Sequence, residues 1–167
     1  NGNGTFKSAL TLDTAVGMES NKSPVITDIN GDGYQDIVAT GHGGGSALRI
    51  TLGNGNGTFK ATQGYGSNLN PGAIAVKDLN GDGRLDVAST DTNRGEITIF
   101  TNAGGGTFTD TATYTDAFGT GFVALADFNG DSVNDIYYVN RDTYAKDFIR
   151  YGNYTSTTTT TTATVAS

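Results

Sequence analysis

The stretch "DINGDGYQD", residues 28–36, sets three aspartates and one asparagine on odd positions of a single nine-residue turn. It returns as "DLNGDGRLD" at 78–86 and as "DFNGDSVND" at 127–135. The three copies begin at Asp28, Asp78 and Asp127, 50 and then 49 residues apart. A second motif keeps step: "NGNGTFK" at 1–7, "NGNGTFK" at 54–60 and "GGGTFTD" at 104–110, with Phe6, Phe59 and Phe108 spaced by 53 and 49. Two motifs sharing one period make the chain a repeat protein.

Around each acidic turn the sequence predicts four short strands. One apolar run precedes the turn ("PVIT" 24–27, "AIAV" 73–76, "FVALA" 122–126) and one follows it ("IVAT" 37–40, "VAST" 87–90, "IYYV" 136–139). Such continuous runs suit strands covered on both faces. A third run ("ALRITLG", "EITIFTN", "DFIRYGN") alternates more cleanly, which predicts one wet face. A glycine-rich turn then leads to a fourth ("TFKATQ", "TFTDTATY"), because Asn-Gly and Gly-Gly pairs tolerate the positive φ of tight hairpins. Four strands per roughly 50 residues is the pattern of a propeller blade. The expected fold is all-β, with about three antiparallel propeller-type blades in a partial or assembling ring. The acidic loop lies between the first and second strand of each blade. The repeats span 1–154, and a Thr-rich tail or linker at 155–167 has the composition to begin as a strand.

Composition narrows the function. With 25 glycines, 2 prolines and only 16% charged residues, the 167-residue chain favours turn-rich β structure. No apolar run is long enough to span a bilayer, so no membrane insertion is expected. A net charge of −7 repels phosphate backbones and argues against nucleic-acid partners. The absence of cysteine rules out disulfides and leaves metal as the available staple. No targeting segment is visible. The opening "NGNGTFK" reads as the middle of a repeat.

Nine of the 17 acidic residues lie in the three turns. Crowded like charges cost free energy unless a cation sits among them or water screens them. Oxygens at positions 1, 3 and 5 of a tight loop point to one side. A glycine at 6 permits the bend, position 7 offers a carbonyl and position 9 another carboxylate. That hard all-oxygen shell suits Ca²⁺. EF-hand and dockerin loops require a carboxylate at position 12, where this chain has Ala39, Ser89 and Tyr138. The competing interpretation is an Asx-rich turn with no metal.

"DINGDGYQDIVAT", "DLNGDGRLDVAST" and "DFNGDSVNDIYYV" resemble the FG-GAP/VCBS repeats of integrin-type β-propellers, over residues 1 to about 154. The resemblance implies up to three Ca²⁺ sites. Asp28, Asn30, Asp32, Asp36 and the carbonyl of Tyr34 form the first. Asp78, Asn80, Asp82, Asp86 and the carbonyl of Arg84 form the second. Asp127, Asn129, Asp131, Asp135 and the carbonyl of Val133 form the third. Ser132 stands where the other copies have Gly33 and Gly83, which predicts strain and a weaker or distorted third site.

Other features weigh less. "GHGGGS" at 41–46 contains an esterase-like string, but His42 is the only histidine and no G-x-S-x-G elbow accompanies it. "NRGE" at 93–96 reads as a hairpin turn. Tyr137, Tyr138, Tyr144, Tyr151 and Tyr154 either stack on sugars or fill a core. Sequons lie at Asn3, Asn21, Asn56 and Asn153, and Lys7 and Lys60 are expected to face outward. The resulting expectation is a non-catalytic, calcium-stabilised, secreted or cell-surface module for adhesion or recognition of a protein or glycan. Its neighbours would be blades of the same longer chain or of other subunits. Two alternatives remain: a structural subunit of an extracellular filament, or a fragment of a polysaccharide-active lyase or hydrolase.

Overall fold

The computed structural model describes residues 5–6, 8–10, 24–41, 46–66, 71–115, 120–140 and 147–152. His42, Lys7, Tyr144, Tyr154, the sequons at Asn3, Asn21 and Asn153, and the tail 155–167 lie outside them. Among the described residues the regular structure is all β, and no helix is long and apolar enough to cross a membrane. Eleven strands among the described residues form three antiparallel sheets. The first is β1 (Val25–Thr27), β2 (Asp36–Thr40), β3 (Leu48–Thr51) and β4 (Gln63–Tyr65) in that order. The second is β5 (Pro71–Lys77), β6 (Asp86–Asp91), β7 (Glu96–Gly104) and β8 (Thr107–Thr115). The third is β9 (Thr120–Ala126), β10 (Asp135–Asn140) and β11 (Asp147–Arg150), with β10 in the middle.

The sheets are copies in register as well as in order. Val38 pairs with Ile50, Ala88 with Ile99 and Tyr137 with Ile149. Their chain neighbours repeat the match: Ile37 with Thr51, Val87 with Phe100, Ile136 with Arg150. Because side chains alternate along a strand, each sheet turns one set to each neighbour. Val38, Leu48 and Ile50 of the first sheet meet Ile74, Val87, Phe100 and Phe108 of the second. Ala88, Ile97 and Ile99, on the opposite face of the second sheet, meet Ile136 and Tyr138 of the third. Two apolar seams therefore join three sheets, and the middle sheet contributes to both.

Polar contacts mark the same seams. The Tyr65 hydroxyl donates to the Gly106 carbonyl at 3.0 Å across the first. At the second, the Arg150 guanidinium lies 4.3 Å from the Tyr114 ring centroid, a cation–π contact. Tyr138 is buried there, stacked on Phe148 with 5.2 Å between centroids, so it serves the core. Tyr137 lies 6.4 Å from Phe128, and a hydrogen bond to Asp147 raises its phenol pKa above the usual value.

Three local expectations need correction. The first strands are not covered on both faces at the ends of the row. Ile26 is 56% exposed and Phe122 71%, on faces that turn away from the seams. The third strand has no wet face in the first sheet, where β3 is buried throughout. Its polar Thr51 pairs instead with Thr62, hydroxyl to hydroxyl, at 2.7 Å. The fourth strand of the first sheet starts later than its motif. Phe59 makes an isolated bridge to Gly53, and the ladder proper is confined to Gln63–Tyr65. "NRGE" does form the β6–β7 turn, where the Asp91 Oδ1 accepts the backbone N–H of Asn93 and Arg94 at 2.8 and 2.9 Å. Lys60 is exposed.

Candidate metal-binding loops

Each acidic turn joins the first strand of a sheet to the second, as the motif predicts. In the first, Asp28 caps the turn from position 1. Its Oδ1 accepts the N–H of Gly31 (2.8 Å) and Asp32 (3.1 Å), and its Oδ2 that of Gly33 (2.7 Å). Asn30 accepts from Asp32 N at 3.0 Å and donates its amide to Asp32 Oδ2 at 2.8 Å, while Asp32 Oδ1 accepts Tyr34 N at 2.9 Å. The second turn repeats the scheme, with Asp78 accepting from Gly81 (2.7 Å) and Gly83 (2.9 Å) and Asn80 donating to Asp82 at 2.9 Å. So does the third: Asp127 accepts from Gly130 (2.6 Å) and Ser132 (2.9 Å), and Asn129 donates to Asp131 at 2.9 Å. The N–H of Val133 closes that turn on Asp131 at 2.8 Å.

Position 9 behaves differently. Asp36, Asp86 and Asp135 are fully buried at 0% exposure, at the base of their loops. Each uses one carboxylate oxygen for the N–H of loop position 2: Ile29 at 3.0 Å, Leu79 at 2.9 Å, Phe128 at 2.8 Å. The other oxygen takes an N–H just past the third strand, or near its end in the second sheet: Gly53 at 2.7 Å, Asn102 at 2.9 Å, Gly152 at 2.7 Å. The aspartate thus ties the loop to a strand that the motif does not contain. Sequence reasoning missed these partners. Only an offset of 16 or 17 residues from the ninth position marks them. The approach is close: a Cβ on Gly53 or Gly152 would meet the carbonyl oxygen of Gln35 or Asn134 at 2.3 or 2.4 Å.

Environment sets the charge states. The Asn30 amide first, then the Tyr34 N–H, hold Asp32 below the ordinary carboxylate value, and the Ser132 N–H leads a set of donors doing the same for Asp127. Desolvation pushes Asp82 upward, but the N–H of Arg84, the Asn80 amide and the Arg84 charge outweigh it, leaving it lowered. Burial raises Asp86 against the pull of its two N–H donors, and the nearby charges of Asp82 and Asp78 add to the rise.

The exposed side-chain donors of each loop are carboxylate and amide oxygens. This set fits a hard divalent ion. A carboxylate has about four lone-pair sites, so oxygens that already accept an N–H retain capacity for a cation. Among the described residues no three His, Cys, Asp or Glu side chains gather into a ready cage, and the third aspartate of each loop sits buried at its base. The third loop is not distorted in its hydrogen bonding. The strain predicted for Ser132 appears in the backbone. Its φ is 68°, the only positive value at a non-glycine among the described residues.

Repeated antiparallel units of three or four strands, each with the same acidic loop between its first two strands and packed face to face, define a class of β-repeat module. The family model described as FG-GAP-like repeat matches residues 28–89 and 78–138, and the chain belongs to that family. No curated protein and no solved structure matches.

Proposed function

We propose that this chain is a calcium-stabilised module of an extracellular or cell-surface protein, its sheets being successive blades of a β-propeller that recognises a protein or glycan. The observation that carries the reading is the threefold recurrence of one loop geometry. Each loop sets an acidic, all-oxygen mouth on the same corner of its sheet. Asp28, Asn30, Asp32 and Asp36 would hold the first ion with the Tyr34 carbonyl. Asp78, Asn80, Asp82 and Asp86 would hold the second with that of Arg84. Asp127, Asn129, Asp131 and Asp135 would hold the third with that of Val133. Bound calcium supplies counter-charge and rigidity, with no part in bond making. Three ions would nearly cancel the net charge of −7. Affinity belongs to the weak extracellular class, roughly 10⁻⁴ to 10⁻³ M, because no bidentate glutamate closes the loop.

A thermal melt tests this. Excess calcium should raise the melting temperature by many degrees over calcium-depleted buffer, by mass action on the folded state. A melt that calcium does not move would sink the reading. A glycan array with calcium present then tests recognition.

One observation favours a second role, in assembly. Phe128 and Tyr137 of the third sheet match Ile29 and Val38 of the first in loop position and strand register, and those two are buried in a seam. Phe128 is 47% exposed and Phe122, opposite Val139 on β10, 71%. The third sheet thus presents an apolar face of the kind that blades bury against each other, suited to a further blade of the same chain or of another subunit. Light scattering at increasing concentration, before and after Phe122→Ser, separates an associating face from an inert one.

A further inference from the structure

The three loops share one hydrogen-bonding scheme, and they differ most at position 7. There the first has Tyr34, the third Val133 and the second Arg84. The Arg84 side chain folds back over its own loop. Its Nη2 donates to Asp82 Oδ2 at 2.5 Å, and its Nε donates to the carbonyl of Asn102 at 2.8 Å. Surface ion pairs are often loose and worth little. This one is pinned at two points, and the second is the backbone of a buried residue. A guanidinium presents its donors in a rigid fork, so fixing Nε fixes the direction of Nη2. Asp82 Oδ2 also accepts the Asn80 amide at 2.9 Å, so both lone pairs of that oxygen are engaged.

We infer that Arg84 is a built-in counter-ion of the second loop, occupying the Asp82 carboxylate that a divalent cation would use. The inference rests on the proposal that these loops bind calcium, and it distinguishes among them. The second loop is partly charge-balanced without metal. It therefore keeps its shape when calcium is scarce, and it binds calcium more weakly than the first loop. Its place in the fold gives that a use. Asn102, which braces Arg84, also donates its side-chain amide to the Ile29 carbonyl at 2.8 Å and its N–H to Asp86 at 2.9 Å. Asn102 thus links the braced second loop to Ile29 of the first loop across the seam between the first two sheets, and Arg84 helps hold that link when calcium is scarce.

The test compares the whole chain with Arg84→Gln and Arg84→Lys, by thermal melts in calcium-depleted buffer and in excess calcium, with a calcium titration by calorimetry. Without calcium, Arg84→Gln should melt about 2–4 °C below the parent. In excess calcium that deficit should vanish or reverse, because the ion replaces the lost charge. The titration should show one site tightened by about tenfold once a positive charge some ångströms away is gone. Arg84→Lys, which keeps the charge and loses the fork, should fall between. A deficit of equal size in both media makes Arg84 a mechanical brace and overturns the inference, as does an absent deficit without calcium. A parent whose melt ignores calcium marks failure of the calcium reading itself. A responsive parent beside a fixed Arg84→Gln deficit marks failure of the counter-ion alone.

Discussion

Ser132 and Asn102 show how single residues depart from the repeat, and each yields a measurable consequence. At the sixth loop position Gly33 and Gly83 adopt φ of 87° and 82°, and Ser132 is forced to 68°. An L side chain pays roughly 1–2 kcal/mol in that region. A Cβ at Gly33 or Gly83 would meet nothing within 4 Å, so the cost there is backbone strain and not collision. Ser132→Gly should therefore stabilise the chain by about 1 kcal/mol and raise its melting temperature by about 2–4 °C. Gly33→Ser should do the reverse. Asn102 stands where the other sheets have Gly53 and Gly152, and its amide reaches the carbonyls of Ile29 and Leu85 at 2.8 and 3.1 Å. Asn102→Gly keeps the N–H to Asp86 and strips the bridge between sheets. It should cost about 1–3 kcal/mol in urea unfolding, since the buried Ile29 carbonyl and the part-buried Leu85 carbonyl lose a donor.

At the scale of the element, the unit is an acidic loop and the strands it joins. Position 9 locks it from a buried base, while the mouth stays exposed. Asp86→Ala should cost about 2–5 kcal/mol by urea unfolding, because the N–H groups of Leu79 and Asn102 would be left buried without an acceptor. Asp82→Asn, at the exposed mouth, should stay within about 1 kcal/mol in calcium-depleted buffer. The pH response follows from the same division. Asp32, Asp82 and Asp127 have folded pKa values lowered from 3.8. Each contributes stability above its unfolded value and loses it as pH falls through the folded one. Asp86 is raised, so its ionisation costs stability, and that cost is relieved as pH falls toward 3.8. Melting temperatures in calcium-depleted buffers should hold or edge upward on approach to that pH, then fall below it. A steep loss well above it would contradict these shifts. The order of strands and the placing of the loops between first and second strands were legible in the sequence, because apolar runs and Asn-Gly turns are local signals. The lock at position 9 was not, since its second partner lies 16 or 17 residues on and carries nothing distinctive: two glycines and an asparagine. Nor was the burial of β3, where Arg49 and Thr51 look like solvent residues until both faces are covered.

Across the whole molecule, stability is distributed by position in the row. All six residues of β6 are buried, while β1 and β11 have mostly half-buried or exposed side chains. In such arrays each unit is held by its own ladder and by the seams it shares, so the middle sheet, with two seams, should be the last to open. Amide exchange at β6 and β7 should then track global unfolding, with β1 and β11 exchanging sooner. Phe100→Ala gives the sharper test. The ring is fully buried in the first seam and absent from the second, where Ile97 and Ile99 from the same strand serve instead. Its removal should cost about 3–5 kcal/mol. If units couple only to neighbours, the lost protection concentrates in the first sheet, and β9 and β10 retain theirs relative to β6. Equal acceleration in all three sheets would mean that they unfold as one body, with the seams no weaker than the ladders.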